Sequence, residues 1–117
     1  MGAMGDSTSD GVQGEVVVVS VTTPDEDVAA RLCRHLVEQR LAACAQIGGP
    51  IRSTYRWKGE VEVDPEWMVT IKTSSARLDE LVEAVNSLHP AEVPEVVATP
   101  AVGGDPAYLR WVLEETA

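Results

Sequence analysis

The sequence of 117 residues contains no phenylalanine, two cysteines and two histidines, and has 9 lysines and arginines against 19 aspartates and glutamates. Its net charge of −10 repels phosphate backbones and anionic membrane surfaces, and the basic residues occur singly and form no stripe. We therefore expect no nucleic-acid partner and no membrane partner. No apolar run approaches the length of a transmembrane helix. The length suits one domain.

Motifs of nucleotide binding and of common hydrolases are also missing, since the sequence has no GxxxxGK[ST], GxGxxG, HExxH or GxSxG pattern. Acid and base side chains are present, but nothing in the sequence activates a nucleophile, so we expect no enzyme. Cys33 and Cys44 form no CxxC pair, and we expect buried, unpaired thiols in a cytoplasmic protein.

Residues 1–14 contain four glycines and neither a basic residue nor an apolar stretch. This composition predicts a disordered tail without a signal peptide, followed by a folded domain at residues 15–117.

Hydrophobic periodicity predicts the order of the elements in this domain. The order is β-α-β-β-α-β with an extra C-terminal helix, which is typical of a ferredoxin-like α+β fold with an antiparallel sheet and both inner helices on one face. The predicted strands are Glu15–Thr22, Ala43–Trp57 with a break at Gly48–Pro50, a half-exposed ribbon Glu60–Asp64 that continues as the more apolar Trp67–Thr73, and Val93–Val102.

Local signals predict how these elements begin and end. Thr23-Pro24-Asp25-Glu26 is typical of a capping box with Thr23 as the N-cap of the first helix, and Ser74 or Ser75 can cap the second helix. Lys58-Gly59-Glu60 predicts a hairpin turn, and we expect Pro65 to limit strand pairing after it. Asp105-Pro106 predicts the start of the terminal helix.

Several strands are apolar without alternation, among them Val16–Val19, Trp67–Val69 and Val96–Ala98. Helices can cover only one face of such a sheet, and large apolar patches are rarely left exposed on monomers. We therefore expect the second face to be covered by another copy of the same chain.

The segment His89–Glu95 contains an imidazole, two carboxylates (Glu92 and Glu95) and two prolines. Two interpretations of His89 stay open. It is either a residue at the end of a helix, where an imidazolium interacts favourably with the helix dipole, or a ligand for a divalent cation or a polar molecule. His35, by contrast, is expected on a partly exposed helix face.

Other candidate residues lie on the strands. Tyr55 and Trp57 share one face of their strand, either as core or interface packing or as the wall of a pocket. Lys72 ends an apolar strand, either snorkelling to solvent or lining a cleft. Four acidic residues at alternate positions predict a solvated face that protects a sheet edge: Glu60, Glu62, Asp64 and Glu66.

Six blocks of the sequence, spread collinearly over residues 15–115, resemble the CutA family of divalent-cation tolerance proteins. The resemblance implies a ferredoxin-like subunit in a homotrimer similar to the nitrogen-regulatory PII proteins, with the hairpin around Lys58-Gly59 reaching onto a neighbouring copy. The blocks are Val21–Glu26, Leu41–Cys44, Ser53–Trp57 with Gly59, Ile71–Thr73, His89–Glu95 and Pro106–Trp111.

The same resemblance implies a function in the response to copper and other divalent cations, through a cleft between subunits, without catalysis. Family positions that bind copper hold Val21 and Leu88 here, which leaves His89 as the one metal ligand and predicts at most weak binding of Cu²⁺ or Zn²⁺. The alternative function is a PII-like signalling or scaffolding trimer that binds a small metabolite or a partner protein. The implied cleft residues are Tyr55, Trp57, Lys72, His89, Glu92 and Glu95.

Overall fold

A computed structural model describes residues 14–117, so the predicted tail of residues 1–14 lies outside the described residues apart from the exposed Gly14. The described residues form one sheet of order β2-β3-β1-β4, in which all neighbouring strands are antiparallel. This confirms the predicted ferredoxin-like order with an extra C-terminal helix. The elements are β1 (Val16–Thr23), α1 (Glu26–Glu38), β2 (Cys44–Trp57), β3 (Glu60–Ser74), α2 (Leu78–Leu88), β4 (Val96–Pro100) and α3 (Pro106–Glu115), with a 3₁₀ turn at Ser75–Arg77.

The main core lies between the sheet and helices α1 and α2. Alternate residues of β1 and β3 point to this side, where they meet the apolar stripes of the two helices. Each fully buried apolar side chain contributes roughly 1.5–3 kcal/mol of transfer free energy. The largest fully buried side chains in this core are Val19, Val21, Leu32, Leu36, Val69, Ile71, Leu81 and Val85.

The second face of the sheet is less apolar than the strand sequences predict. Its end is covered by α3, whose buried Val112 packs with Val16. In its middle, alternation leaves the half-buried Val18 beside polar neighbours such as Ser20 and Lys72. The reason is that a strand of four valines presents only two of them to either face.

Helix α1 begins two residues later than the sequence predicts. Its N-cap is Asp25, whose Oδ1 accepts the Val28 N–H at 2.8 Å. The prediction of Thr23 as the cap is wrong because Thr23 is still the last residue of β1, paired with Trp67. Its hydroxyl instead donates to the Asp25 carbonyl at 3.0 Å.

The start of α2 also differs from the prediction of a serine cap. Ser74 ends β3 opposite Val16, and its buried hydroxyl has no hydrogen-bond partner among the described residues. The Ser75 hydroxyl accepts the Glu15 N–H at 3.0 Å. Both serines are therefore used where the strands end, and the 3₁₀ turn leads into the helix. The predicted start of α3 is confirmed, since the helix begins at Pro106, and Asp105 Oδ2 caps it by accepting the Tyr108 N–H at 3.2 Å.

Strands β2 and β3 extend beyond the rest of the sheet as a two-stranded arm, Ile51–Trp57 and Glu60–Glu66, in a molecule measuring 51 × 25 × 22 Å. Lys58 and Gly59 form its turn with φ of 49° and 85°, both positive as a type I′ two-residue turn requires. Pro65 pairs with Arg52 inside the arm, so the expected limit on pairing is wrong. β3 accepts this proline because, among the described residues, no strand pairs with its other edge there.

The arm begins at a bulge in β2, where the predicted break is in fact a shift of register between Gly48 and Ile51. Gly49 has a φ of 147°, and a Cβ there would lie 3.0 Å from Trp67 Cδ1. Glycine is therefore required at this position, and the chain stays in the strand while its direction changes.

Candidate functional site

A cleft of about 580 Å³ lies between the arm, the end of β1 and the segment 89–95 that follows α2. Its size is within the range of small-molecule sites. The arm contributes one face of β2 and the adjacent carboxylate of β3, and the segment 89–95 forms the opposite side. The side chains that matter for its chemistry are Tyr55, Trp57, Glu66, His89, Glu92 and Glu95.

Five of the six cleft residues implied by the family resemblance line this cleft, and Lys72 does not. Lys72 shares a sheet face with Thr22, which lines the cleft, but four residues of β3, roughly 13 Å, separate it from Met68, the partner of Thr22. The Lys72 ammonium instead donates to Gln46 Oε1 on β2. That the five residues bind a ligand stays a prediction.

Tyr55 and Trp57 form the aromatic side of the cleft, with 42% and 38% of their surfaces exposed. The Tyr55 hydroxyl donates to Asp64 Oδ2 at 2.5 Å across the arm. This hydrogen bond, together with the charges of Asp64, Glu62 and Glu66, raises the pKa of Tyr55 to about 12. Tyr55 is therefore a neutral ring at physiological pH.

His89 ends α2 and holds the segment 89–95 against the sheet. Its Nδ1 accepts the Ala91 N–H at 3.0 Å, so Nδ1 carries no proton in this arrangement. Its Nε2 then donates to the Thr22 carbonyl, 2.7 Å away. Both ring nitrogens are engaged within the chain, and a metal ion would have to displace one of these hydrogen bonds to reach the imidazole.

The charge of the cleft is negative. Three of the lining side chains, Glu66, Glu92 and Glu95, are acidic, and none of the lining residues is a lysine or arginine. Lys58 lies at the rim, where its Nζ is 3.7 Å from Glu92 Oε1 and 5.6 Å from the centre of a Trp57 ring. Among residues 14–117, no three His, Cys, Asp or Glu side chains converge as a metal site.

Sequence reasoning missed three residues that shape this site: Lys58, Asp64 and Glu66. The alternating pattern predicts only a solvated edge for the acidic row of the arm, whereas Asp64 accepts the Tyr55 hydroxyl and Glu66 lines the cleft. A signal was available, because a two-residue turn at Lys58-Gly59 places Tyr55 opposite Glu62 and on the face of the acidic row.

The two thiols lie elsewhere in the molecule. Cys33 and Cys44 are both free and half-buried. Cys33 lies on α1, and Cys44 is the first residue of β2. Burial raises the pKa of the Cys33 thiol, which disfavours its reactive thiolate form.

His35 is half-buried on α1, as expected. No helix within residues 14–117 is long and apolar enough to cross a membrane.

Comparison with known proteins identifies relatives over most of the chain. Protein CutA of Mus musculus is 47% identical over 105 residues, which cover 90% of this chain and 59% of the mouse protein. The chain thus spans about three fifths of the length of that relative. The divalent-cation tolerance protein CutA of Thermus thermophilus is 46% identical over 99 residues, covering 85% of this chain and 96% of the Thermus protein.

Solved structures give the same result. The divalent cation tolerance protein of Thermus thermophilus superimposes with a TM-score of 0.85 at 44% identity, covering 87% of this chain and 99% of the other. The Archaeoglobus fulgidus protein, described as a periplasmic divalent cation tolerance protein, has a TM-score of 0.84 at 30% identity, with 87% and 99% covered. The family model described as CutA1 divalent ion tolerance protein matches residues 17–115. The chain belongs to the CutA1 divalent ion tolerance protein family.

Proposed function

We propose that this chain acts in the response to divalent metal ions and that it does so by binding cations in the cleft, without catalysing a reaction. The observation that supports this most directly is the acidic lining of the cleft, with three carboxylates and no lysine or arginine. A negative cleft in a chain of net charge −10 concentrates cations near its surface. Membership of the family supports a role with divalent ions.

The donor chemistry favours weak binding. Carboxylate oxygens are hard ligands that suit hydrated divalent cations, whereas copper prefers imidazole and thiolate. The imidazole of His89 already uses both nitrogens, and the described residues of one chain offer no cluster of three metal-ligating side chains. Cu²⁺ or Zn²⁺ would therefore bind weakly to a single chain, through Glu92 and Glu95.

A homotrimer is the assembly we propose, with the arm reaching a neighbouring copy. Val61 and Val63 lie on the arm face opposite the acidic row, and 61% and 55% of their surfaces are exposed. A protein surface rarely leaves apolar residues together at the end of a long hairpin without a partner. Contact with another copy would cover these valines and add donors to the cleft.

We place the protein in the cytoplasm, where reducing conditions keep thiols unpaired. Its two free cysteines are compatible with that compartment.

Metal titration tests the proposal. We expect chelator-treated protein to bind Mn²⁺ or Zn²⁺ in calorimetry, and Glu92→Gln combined with Glu95→Gln to weaken binding about tenfold, since each charge contributes to attraction in the cleft. Glu83→Gln and Glu80→Gln together form the matched control, because both residues are exposed on α2 outside the cleft. Equal weakening by both pairs would show diffuse attraction and contradict a site in the cleft.

A second candidate function is the binding of a small molecule by a PII-like trimer without a metal role. The aromatic side of the cleft favours it, because a metal ion needs neither Tyr55 nor Trp57. A thermal-shift screen of metabolites tests this function, since a ligand of the folded state raises the melting temperature.

A further inference from the structure

The mouth of the cleft already holds one ammonium group, that of Lys58. The turn places Lys58 at the tip of the arm, and its Nζ lies 5.6 Å from the centre of a Trp57 ring and 3.7 Å from Glu92 Oε1. An aromatic face on one side and a carboxylate on the other are the two groups that recognise alkylammonium ions. The side chain of Lys58 thus stands in for a ligand of that class.

The aromatic residues suit this chemistry and are not needed for a metal ion. Tyr55 presents a neutral ring to the cleft, and its hydroxyl is held by the hydrogen bond that it donates to Asp64. Trp57 is half-exposed toward the cleft, and indole is the aromatic group that attracts cations most strongly.

The remaining lining groups select against anions. Glu66 and Glu95 are acidic, and both ring nitrogens of His89 are engaged with the Thr22 carbonyl and the Ala91 N–H. A nucleotide or a dicarboxylate would meet these carboxylates without a lining cation to pair with. An organic cation would meet carboxylates and aromatic rings together.

We propose that the cleft binds small organic ammonium ions, in particular short diamines. One ammonium replaces Lys58 between Trp57 and Glu92, and the second pairs with Glu66 or Glu95. The Lys58–Glu92 pair is easily displaced, because 70% of each side chain is exposed and such pairs contribute little. The inference rests on the proposal that the cleft is a binding site and is independent of its role toward metals.

Calorimetric titration of the full chain with 1,4-diaminobutane tests the inference, with 1,4-butanediol as the uncharged isostere. We expect the diamine to bind and the diol not to bind. Trp57→Leu should weaken the diamine about three- to thirtyfold, as loss of a cation–π contact does. Trp111→Leu is the matched control, because Trp111 is 40% exposed on α3 and lies outside the cleft. Lys58→Met should tighten binding a few-fold by removing the internal competitor.

Equal binding of diamine and diol, or equal diamine affinity in wild type and Trp57→Leu, would overturn the inference. Thermal unfolding checks each variant, and Trp57→Phe provides a second variant that keeps a ring and should lose less affinity than Trp57→Leu.

Parallel titrations with Mn²⁺ separate this inference from the proposed metal function. Trp57→Leu should leave Mn²⁺ affinity unchanged, whereas Glu92→Gln should weaken both ligands. If Mn²⁺ binds and the diamine does not, the ammonium site is refuted and the metal proposal stands. If the diamine binds with the expected dependence on Trp57 and Mn²⁺ does not bind, the ammonium site is supported and the metal role of the cleft is refuted.

Discussion

The two ends of β3 have the same alternation of apolar and polar residues but opposite surroundings. Near its C-terminal end, Val69 and Ile71 are completely buried under α1 and α2. In the arm, Val61 and Val63 occupy positions of the same parity and remain 61% and 55% exposed. The difference arises because the pairing of β1 with β3 ends at Trp67, so the arm projects beyond the helices.

Within the pair of strands β2 and β3, the residues that stabilise the fold and the residues of the candidate site lie at opposite ends. The buried end contributes most of the apolar burial that stabilises the fold, whereas the arm presents Tyr55, Trp57 and Lys58 around the cleft. Contacts in the arm can therefore change without unfolding the domain.

The largest effect is expected in the core of the buried end. Leu36→Ala removes a completely buried side chain of α1 and should lower the free energy of unfolding by about 2–5 kcal/mol, through lost burial and a cavity. Urea denaturation measures this loss. A cost under about 1 kcal/mol would show that the core repacks, and would remove the contrast with the arm.

Matched valines of β3 sharpen the comparison directly. Val69→Ala should cost roughly 1.5–3 kcal/mol at any protein concentration, because two buried methyl groups are lost. Val63→Ala should change the free energy of the dilute monomer by less than about 0.5 kcal/mol, and more as copies associate. Denaturation over a dilution series measures both. A cost for Val63→Ala that is independent of concentration would contradict the proposed contact between copies.

The hydrogen bond between Tyr55 and Asp64 predicts a pH effect confined to the arm. The pKa of Tyr55, about 12 in the folded chain, lies above the ordinary value of 10. The stabilisation that the hydrogen bond provides is therefore fully present below pH 10 and is lost as the pH rises through 12. Asp64→Asn should lower the pKa of Tyr55 toward 10, as measured by an ultraviolet pH titration. Tyr108, whose pKa is raised by burial, is the internal reference, and its pKa should be the same in wild type and Asp64→Asn. An unchanged curve for Asp64→Asn would refute the assigned cause.

The smallest effect is expected at the tip of the arm. Lys58→Met should alter the free energy of unfolding by less than about 0.5 kcal/mol, because the ion pair with Glu92 is mostly exposed. The exposed pair of Arg34 and Glu38 on α1 offers a control of the same kind through Arg34→Met. A loss above 1 kcal/mol for Lys58→Met alone would mean that the arm contributes to stability.

Much of the fold could be predicted because strands and helices leave different periods in the sequence. The apolar spacing of Leu32 and Leu36 predicts α1, and Asp105-Pro106 predicts the start of α3. The prediction of Thr23, and of Ser74 as one of two serines, as helix caps is wrong, since strand pairing with Trp67 and Val16 holds both residues in the sheet. Such pairing joins residues far apart in sequence and leaves no local signal at the cap.

The candidate cleft could be predicted only in part. His89, Glu92 and Glu95 lie in one short segment, and Tyr55 with Trp57 in another, so each group was visible locally. The family resemblance, not the pattern, brought the two groups together and also implied Lys72, which lies elsewhere. Lys72 is separated from the cleft of the single chain by distance along a strand, since residues on one sheet face can still lie many ångströms apart.

The amino-acid sequence alone determined the order of the elements, the hairpin turn at Lys58-Gly59 and the negative charge, because these depend on residue type and on neighbours a few positions away. The tertiary structure decided which valines are covered and what the imidazole of His89 can do. That imidazole is occupied by the carbonyl of Thr22, which lies 67 positions away in the chain. No local pattern specifies a contact over that separation, because only the packing of α2 against the end of β1 brings the two groups together.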